Sequence, residues 1–153
     1  MNEHILITGA AGFVGRALTT HLVANHRRVT AVARIAPSTF PAAESTFLIA
    51  SLDRHADLSA ALEGVGVVIH CAAVTRAPGT DDLEQRATLH EVNVEGTLTL
   101  ARQAAKAGVR RLVFLSSIKV NGEESRESNP FRSNDAPAPE DAYGQSKLEA
   151  ERG

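Results

Sequence analysis

The sequence has no tryptophan, one tyrosine, one methionine and one cysteine among its 153 residues. With a single cysteine no internal disulfide can form, which is typical of a reducing compartment, so we expect a cytoplasmic protein. No apolar run approaches the ~18 residues of a membrane span, and the first residues indicate a strand rather than a signal peptide. The net charge is −2, which favours neither a nucleic acid nor a membrane as a partner.

The six histidines are scattered without the spacing of metal ligands, so we expect no metal site. The residues that are present suit a globular protein, since 43% are hydrophobic and 22% are charged. The length is enough for one domain with a sizeable core.

The segment ILITGAAGFVGRAL at Ile5–Leu18 predicts a strand, a tight turn and a helix. Gly9 permits a turn with positive φ, Gly12 lets a pyrophosphate approach the backbone, and Gly15 lets the helix pack on its strand. The first N–H groups of such a helix have no intrahelical partner and carry partial positive charge, which favours a phosphate. The segment therefore predicts dinucleotide binding; the simpler interpretation is a glycine-rich turn.

Apolar, β-branched segments alternate with helical patterns along the chain. The predicted strands are Ile5–Thr8, Arg28–Ala33, Thr46–Ala50, Gly66–His70 and Arg111–Ser116. The predicted helices are Gly12–Asn25, Asp57–Leu62, Asp81–Ala107 and one that starts at Ala142. This alternation predicts an α/β fold, a doubly wound parallel sheet of order 3-2-1-4-5 with right-handed crossovers. We expect ligands outside the carboxyl ends of the first and fourth strands.

The end of the second predicted strand bears on the choice of cofactor. An acidic side chain about 20 residues beyond the glycines selects NAD by binding the ribose 2′-OH. Here the strand ends in Val32, Ala33 and Arg34, without a carboxylate. Because Arg34 can pair with a 2′-phosphate, we favour NADP(H), with NAD(H) as the alternative. A solvent-facing arginine after a strand is the simpler interpretation.

Two further features point to the same edge of the sheet. Ala72 and Ala73 follow the fourth predicted strand, and such small residues let a flat cofactor lie against the backbone. Asn93 and Gly96 fall inside the longest helical pattern, although both are poor helix formers. Such a local misfit often marks close packing or function.

Tyr143 and Lys147 are four residues apart at the predicted start of the last helix, so they lie on one face. The ammonium of Lys147 favours the phenolate of Tyr143, which can then give or take a proton at a carbinol or carbonyl oxygen. Ser117 can hydrogen-bond the same oxygen, and Lys147 can also hold the nicotinamide ribose. A Tyr–Lys pair is common on exposed helices, but its place after a glycine loop and a strand ending in Ser-Ser favours catalysis.

Together these motifs resemble the extended short-chain dehydrogenase/reductase family of NAD(P)-dependent nucleotide-sugar epimerases, dehydratases and reductases, of the UDP-glucose 4-epimerase type. The matching residues are Thr8-Gly9-x-x-Gly12-x-x-Gly15, His70-Cys71-Ala72-Ala73, Asn93-Val94-x-Gly96-Thr97, Ser116-Ser117 before Val120-x-Gly122, and Tyr143-x-x-x-Lys147. The resemblance runs from end to end and implies a Rossmann-type NAD(P)-binding domain over residues 1–153.

The resemblance also implies roles for individual residues. Phe13 and Val14 offer backbone contacts to the pyrophosphate, and Asn93 belongs to a structural and cofactor-side network. Family members usually carry an acid near the adenine where this chain has Ser51-Leu52, and Leu52 can still pack on the ring. The resemblance implies a catalytic triad whose members are Ser117, Tyr143 and Lys147.

The substrate implied by the resemblance is a nucleotide sugar. The runs SSIKVNGE and DAPAPEDAYGQSK look most like bacterial enzymes of surface-polysaccharide synthesis, which act at C4 of UDP-N-acetylhexosamines as 4-epimerases or 4-keto reductases. Hydride then moves between C4 and the nicotinamide. Related enzymes often form homodimers through the helices that here carry Asn93 and Tyr143.

The chain ends at Gly153, before the last strands and the C-terminal substrate domain of the family, so we expect an incomplete domain. Two alternatives to an enzyme stay open at this point. One is a nucleotide-sensing binding protein, against which the Tyr–Lys pair argues. The other is a truncated chain that binds cofactor weakly and turns nothing over.

Overall fold

The computed structural model describes residues 3–34, 43, 45–75, 82–125 and 128–153. The strands are β1 (His4–Thr8), β2 (Arg28–Ala33), β3 (Ser45–Leu48), β4 (Val67–His70) and β5 (Arg111–Phe114). The helices are α1 (Phe13–Ala24), α2 (Asp82–Leu89), α3 (Gly96–Lys106) and α4 (Ala142–Arg152), with a π-helical segment at His90–Glu95 and a 3-10 turn at Ile118–Val120. Across the described ranges, no helix has the length and apolar character needed to cross a membrane.

The sheet confirms the predicted topology. Its strands pair in parallel in the order β3-β2-β1-β4-β5. Thr8, at the end of β1, lies opposite Val32 of β2 and His70 of β4. Because these three strands end nearly level with one another, the loops that follow them open at one edge of the sheet.

Two apolar clusters cover the two faces of the sheet. Leu6 packs in one cluster with Leu58, Leu62 and Leu100. Ile5 and Ile7 pack in the other, against partly buried residues of α1 that include Leu18 and Leu22. Successive side chains of a strand point to opposite faces, so β1 must be apolar at every one of these positions.

The predicted single helix Asp81–Ala107 is divided, and Asp81 itself lies outside the described residues. The chain leaves the α-helical path at His90, forms the π-helical segment to Glu95 and returns to α3 at Gly96. A Cβ at Gly96 would lie 2.3 Å from the backbone oxygen of Leu52, so the helix approaches that turn too closely for any other residue. The misfit of Asn93 and Gly96 therefore marks a real change of helix geometry.

The predicted helix Asp57–Leu62 is wrong, since this segment forms turns. Within it the Leu62 N–H donates to the Leu58 oxygen, but a side chain of α3 binds the backbone groups at its start. Gln103 accepts a hydrogen bond from the Leu58 N–H at 2.7 Å and donates one to the Ala56 oxygen at 2.6 Å. A tertiary contact has replaced the local helix that the sequence pattern predicted.

Candidate active site

A cleft of about 330 Å³ opens at the carboxyl ends of the strands. Its walls come from the glycine loop after β1, the ends of β2 and β3, and the segment after β4. The lining residues that the sequence singled out are Gly9, Gly12, Arg34, Leu52, Ala72 and Ala73. Within the described ranges, no group of three or more His, Cys, Asp or Glu side chains is placed to hold a metal ion.

The glycine loop is built so tightly that side chains are excluded from it. Gly9 has φ of +65°, and a Cβ there would lie 2.6 Å from the backbone nitrogen of Ala72. A Cβ at Gly15 would lie 2.2 Å from the backbone oxygen of Gly9. The absence of a side chain at Gly9 lets the loop after β1 lie directly against the backbone that follows β4. The absence of a side chain at Gly15 lets α1 begin directly against the loop.

The N-terminus of α1 is open toward this loop. Gly12 is the N-cap residue, no side chain caps the helix, and its first turn has no acidic residue. The Phe13 side chain is 95% exposed and that of Val14 is 50% exposed, so both project away from the core. Uncapped backbone N–H groups at this end form the kind of site that binds a phosphate.

Arg34 lies at the far side of the cleft, just beyond β2. It is exposed, and it is the only charged residue among the described residues that line the cleft. Leu52 is only 4% exposed, because it belongs to the apolar core as well as to the cleft wall. The cleft is therefore apolar along its base and cationic at this rim.

Asn93 connects the cleft wall to the last helix. Its side chain accepts a hydrogen bond from the Val74 N–H and donates one to the Val74 oxygen, both at 2.8 Å. It also donates to the Ser146 hydroxyl at 3.0 Å, and the residue is 1% exposed. From the π-helical segment, this amide therefore connects the chain after β4 to Ser146, the residue before Lys147 in α4.

His70 is buried, and its ring connects β4 to β1 and α3. The Thr97 hydroxyl donates its hydrogen to the backbone oxygen of Asn93. The same hydroxyl therefore accepts a hydrogen bond from His70 Nε2 at 2.9 Å. The other ring nitrogen, Nδ1, then accepts from the Thr8 hydroxyl at 2.6 Å. Burial, and secondly the charge of Lys147, lower the pKa of His70 to about 3, so the ring is neutral at physiological pH.

Lys147 is a buried cation, with a side chain that is 1% exposed. Its Nζ lies 3.9 Å from the centroid of the Phe114 ring, which in turn stacks on His70 at 5.6 Å. Burial lowers the pKa of Lys147 to about 8, against smaller raising effects of Glu151 and Cys71. In the described part of the chain this ammonium has no ion-pair partner within 4 Å, so the aromatic face is its principal support.

Ser117 and Tyr143 are carried by two elements in contact. Ser117 caps the 3-10 turn, where its hydroxyl accepts a hydrogen bond from the Lys119 N–H at 3.2 Å. Tyr143 is the second residue of α4 and is half-buried. The sequence missed what joins the two elements, although Asp141 followed three residues later by Gly144 has the spacing of a helix cap.

Lys147→Met is expected to stabilise the ligand-free chain at pH 7, because it removes the cost of burying an ammonium. A pKa lowered from 10.5 to about 8 corresponds to a cost of about 3 kcal/mol. Between about pH 8 and 10.5, Lys147 is protonated in the unfolded chain and deprotonated in the folded chain. The stability of the wild type therefore rises between about pH 8 and 10.5 and is lost again as the pH falls, whereas the variant lacks this rise.

Urea unfolding at pH 7 and pH 10 measures both effects. Lys106→Met is the matched control, since Lys106 is exposed in the last turn of α3 and neither effect is expected there. A Lys147→Met variant less stable than the wild type at pH 7 would contradict the burial argument.

Comparison with known proteins agrees with this geometry. A family model described as the NAD dependent epimerase/dehydratase family matches residues 5–153. The UDP-glucose 4-epimerase of Vibrio cholerae is 38% identical over 152 residues, which are 99% of this chain and 46% of that protein. A 3-beta-hydroxysteroid dehydrogenase of Mycolicibacterium neoaurum is 34% identical over 121 residues, 76% of this chain and 32% of that protein.

Among solved structures, MoeE5 in complex with UDP-glucose and NAD superposes with a TM-score of 0.81 at 33% identity, covering 97% of this chain and 47% of that one. The chain thus spans about half or less of the length of these relatives. The family match extends over the glycine loop, the cleft and the Tyr143 helix. The chain belongs to the NAD-dependent epimerase/dehydratase family.

Proposed function

We propose that the protein is an epimerase or 4-keto reductase that acts at C4 of a nucleotide sugar of the UDP-N-acetylhexosamine type, in surface-polysaccharide synthesis. The observation that carries this proposal is the buried ammonium of Lys147, one helical turn from Tyr143 and without an ion-pair partner in the described part of the chain. A buried charge without a carboxylate is costly and is typical of a group that binds a ligand.

The residues of the cleft fit a nicotinamide dinucleotide. A Cβ at Gly9 or Gly15 would collide with backbone atoms of the tight loop. The uncapped start of α1 offers backbone N–H groups to a pyrophosphate. Such a cofactor would supply a reversible hydride acceptor for the sugar carbon. We assign the binding of this cofactor to Gly9, Gly12, Phe13, Val14, Gly15, Arg34, Leu52, Ala72, Ala73, Asn93, Tyr143 and Lys147.

Two side chains would contact the C4 oxygen of the sugar, and a third would hold the cofactor beside them. Tyr143 exchanges a proton with the C4 oxygen as general acid and base. Ser117 donates a hydrogen bond to the same oxygen and stabilises the charge that develops on it. Lys147 holds the nicotinamide ribose and places a positive charge one helical turn from Tyr143. The relatives that are named for nucleotide sugars support this substrate class. The steroid dehydrogenase indicates a 3β-hydroxysteroid as the alternative substrate.

Turnover tests the substrate class. The protein is incubated with NADP⁺ or NAD⁺ and, in turn, UDP-N-acetylglucosamine, UDP-glucose and a 3β-hydroxysteroid, and products are separated by chromatography. We expect conversion of the N-acetylated sugar first. Conversion of the steroid alone would replace the proposed substrate, and cofactor binding without any turnover would favour a nucleotide-binding protein.

We further propose NADP(H) as the preferred cofactor, because Arg34 supplies a cation at the rim of the cleft and no described lining residue is acidic. Arg34→Ala is expected to weaken NADP⁺ binding about tenfold or more, since a charge-assisted bond to a phosphate is lost, and to leave NAD⁺ binding unchanged. Quenching of tyrosine fluorescence, corrected for absorption by the dinucleotide, measures both affinities at one position, because Tyr143 is the only tyrosine and there is no tryptophan. Equal losses for both cofactors would contradict the role of Arg34.

Two other expectations stay predictions. They are the cytoplasmic location and the homodimer formed through the helices that carry Asn93 and Tyr143.

A further inference from the structure

Lys119 lies between the two elements that carry Ser117 and Tyr143. Its Nζ donates to Asp141 Oδ2 at 2.8 Å and to both carboxylate oxygens of Glu123, at 2.7 and 2.8 Å. Asp141 is 22 residues away in sequence, so this contact joins two distant segments. The hydrogen bonds to Asp141 and then to Glu123 raise the pKa of Lys119, which keeps it charged at physiological pH.

Asp141 uses its two carboxylate oxygens for two different elements. Oδ1 accepts from the Gly144 N–H at 2.6 Å and so caps the start of α4, while Oδ2 accepts from Lys119. Partial burial acts to raise the pKa of Asp141, but the bonds from Lys119 and Gly144 outweigh it and lower the pKa. The carboxylate is therefore charged across the physiological range, and both bonds persist.

The backbone of Lys119 makes the same connection. Its N–H donates to the Ser117 hydroxyl, and a Cβ at Gly144 would lie 2.6 Å from its oxygen. The 3-10 turn thus touches the first turn of α4 without room for a side chain between them. Ser117 and Tyr143 are therefore each within two residues of a direct contact between the two elements.

We infer that Lys119 and Asp141 form a clamp that positions the Ser117 hydroxyl relative to the Tyr143 phenol for reaction. Both are positioning residues, since neither side chain is assigned a contact with substrate or cofactor. The inference rests on the proposed catalytic roles of Ser117 and Tyr143. Its expected effect falls on kcat rather than on KM, because misplacing two groups that act together in the transition state slows the reaction without removing binding surface.

Asp141→Asn separates the clamp from the helix cap. Asparagine caps a helix about as well as aspartate, so the bond to the Gly144 N–H is kept while the partner of Lys119 is lost. Lys119→Met removes the ammonium and keeps the backbone contacts. We expect each variant, and the double variant, to lower kcat by about 10- to 100-fold with KM changed by less than about twofold. The three losses are equal because one interaction is removed in each case.

Two controls exclude a general surface effect. Glu123→Gln alters the other ion pair of Lys119 without touching α4, and Glu91→Gln breaks the Arg54–Glu91 pair elsewhere on the surface. Both are expected to retain wild-type kcat. Lys119→Arg restores the charge and is expected to recover most of the rate that Lys119→Met loses.

Amide hydrogen exchange gives a second readout that needs no turnover. In Lys119→Met and Asp141→Asn the amides of Lys119, Val120 and Asn121 should exchange faster than in the wild type, and in the two controls they should not. If these amides are equally protected in all variants, the clamp is refuted whether or not the protein is active. If they loosen as expected but the wild type converts no substrate, the proposed function fails and the clamp stands as a contact between the two segments.

Discussion

Tyr143→Phe is expected to lower kcat by about 10²- to 10⁴-fold, the range that a positioned general acid and base contributes. The phenol is the only tyrosine hydroxyl in the chain, so no other tyrosine can replace it. The ring is kept, and Tyr143 is half-buried at the start of α4, so the fold should be retained. The measurement is turnover of the nucleotide sugar under saturating cofactor.

The control for this variant is cofactor binding. A dinucleotide at about 100 times its Kd adds roughly 2.7 kcal/mol to the stability of the folded state, and Tyr143→Phe should keep most of that gain in a thermal melt. Loss of turnover with retained binding would assign the hydroxyl to the chemical step. Turnover within a few-fold of the wild type would remove Tyr143 from the catalytic proposal.

Gly15→Ala is expected to abolish the stabilisation by dinucleotide and to destabilise the free chain by about 1–3 kcal/mol, the usual cost of overpacking. The reason is geometric, because the added Cβ would lie 2.2 Å from the backbone oxygen of Gly9 and cannot be relieved by a change of rotamer. Either the glycine loop or the start of α1 must move, and both belong to the proposed phosphate site. Thermal melts with and without NADP⁺ and NAD⁺ measure the two effects.

Gly64→Ala is the matched control for Gly15→Ala. The same methyl group is added, but no atom lies within 4 Å of it, and φ of +68° adds only about 1–2 kcal/mol of backbone strain. The dinucleotide should stabilise this variant as much as the wild type. A Gly15→Ala variant that still gains stability from dinucleotide would show that the loop tolerates the shift and that the close approach at Gly15 is not required.

The topology could be predicted because it depends on patterns that are local in the sequence. Residues 29–33 of β2 are all buried and all but Thr30 are apolar, which is what a strand covered on both faces requires. The alternation with helices and the handedness of crossovers then leave few arrangements of the sheet. The glycine loop was predictable for the same reason, since its three glycines, the preceding strand and the start of the helix lie within 14 residues.

Failures of prediction occurred where distant residues compete for backbone groups. The segment Asp57–Leu62 has a helical pattern, but Gln103 binds the Leu58 N–H from another helix. Asn93 is a poor helix former within a helical pattern, but its hydrogen bonds to Val74 and Ser146 join segments that are distant in the sequence. Such contacts leave no periodic trace in the sequence.

The sequence alone determined the order of the strands, the place of the glycine loop and the pairing of Tyr143 with Lys147 on one helix face. These features follow from residue periodicity and from spacing within a few turns of chain. Only the tertiary structure decided that Lys147 is buried on Phe114, that His70 is held neutral between Thr8 and Thr97, and that Lys119 joins Ser117 to the Tyr143 helix. Burial and electrostatic pairing are set by groups that meet only after folding, so no local pattern specifies them.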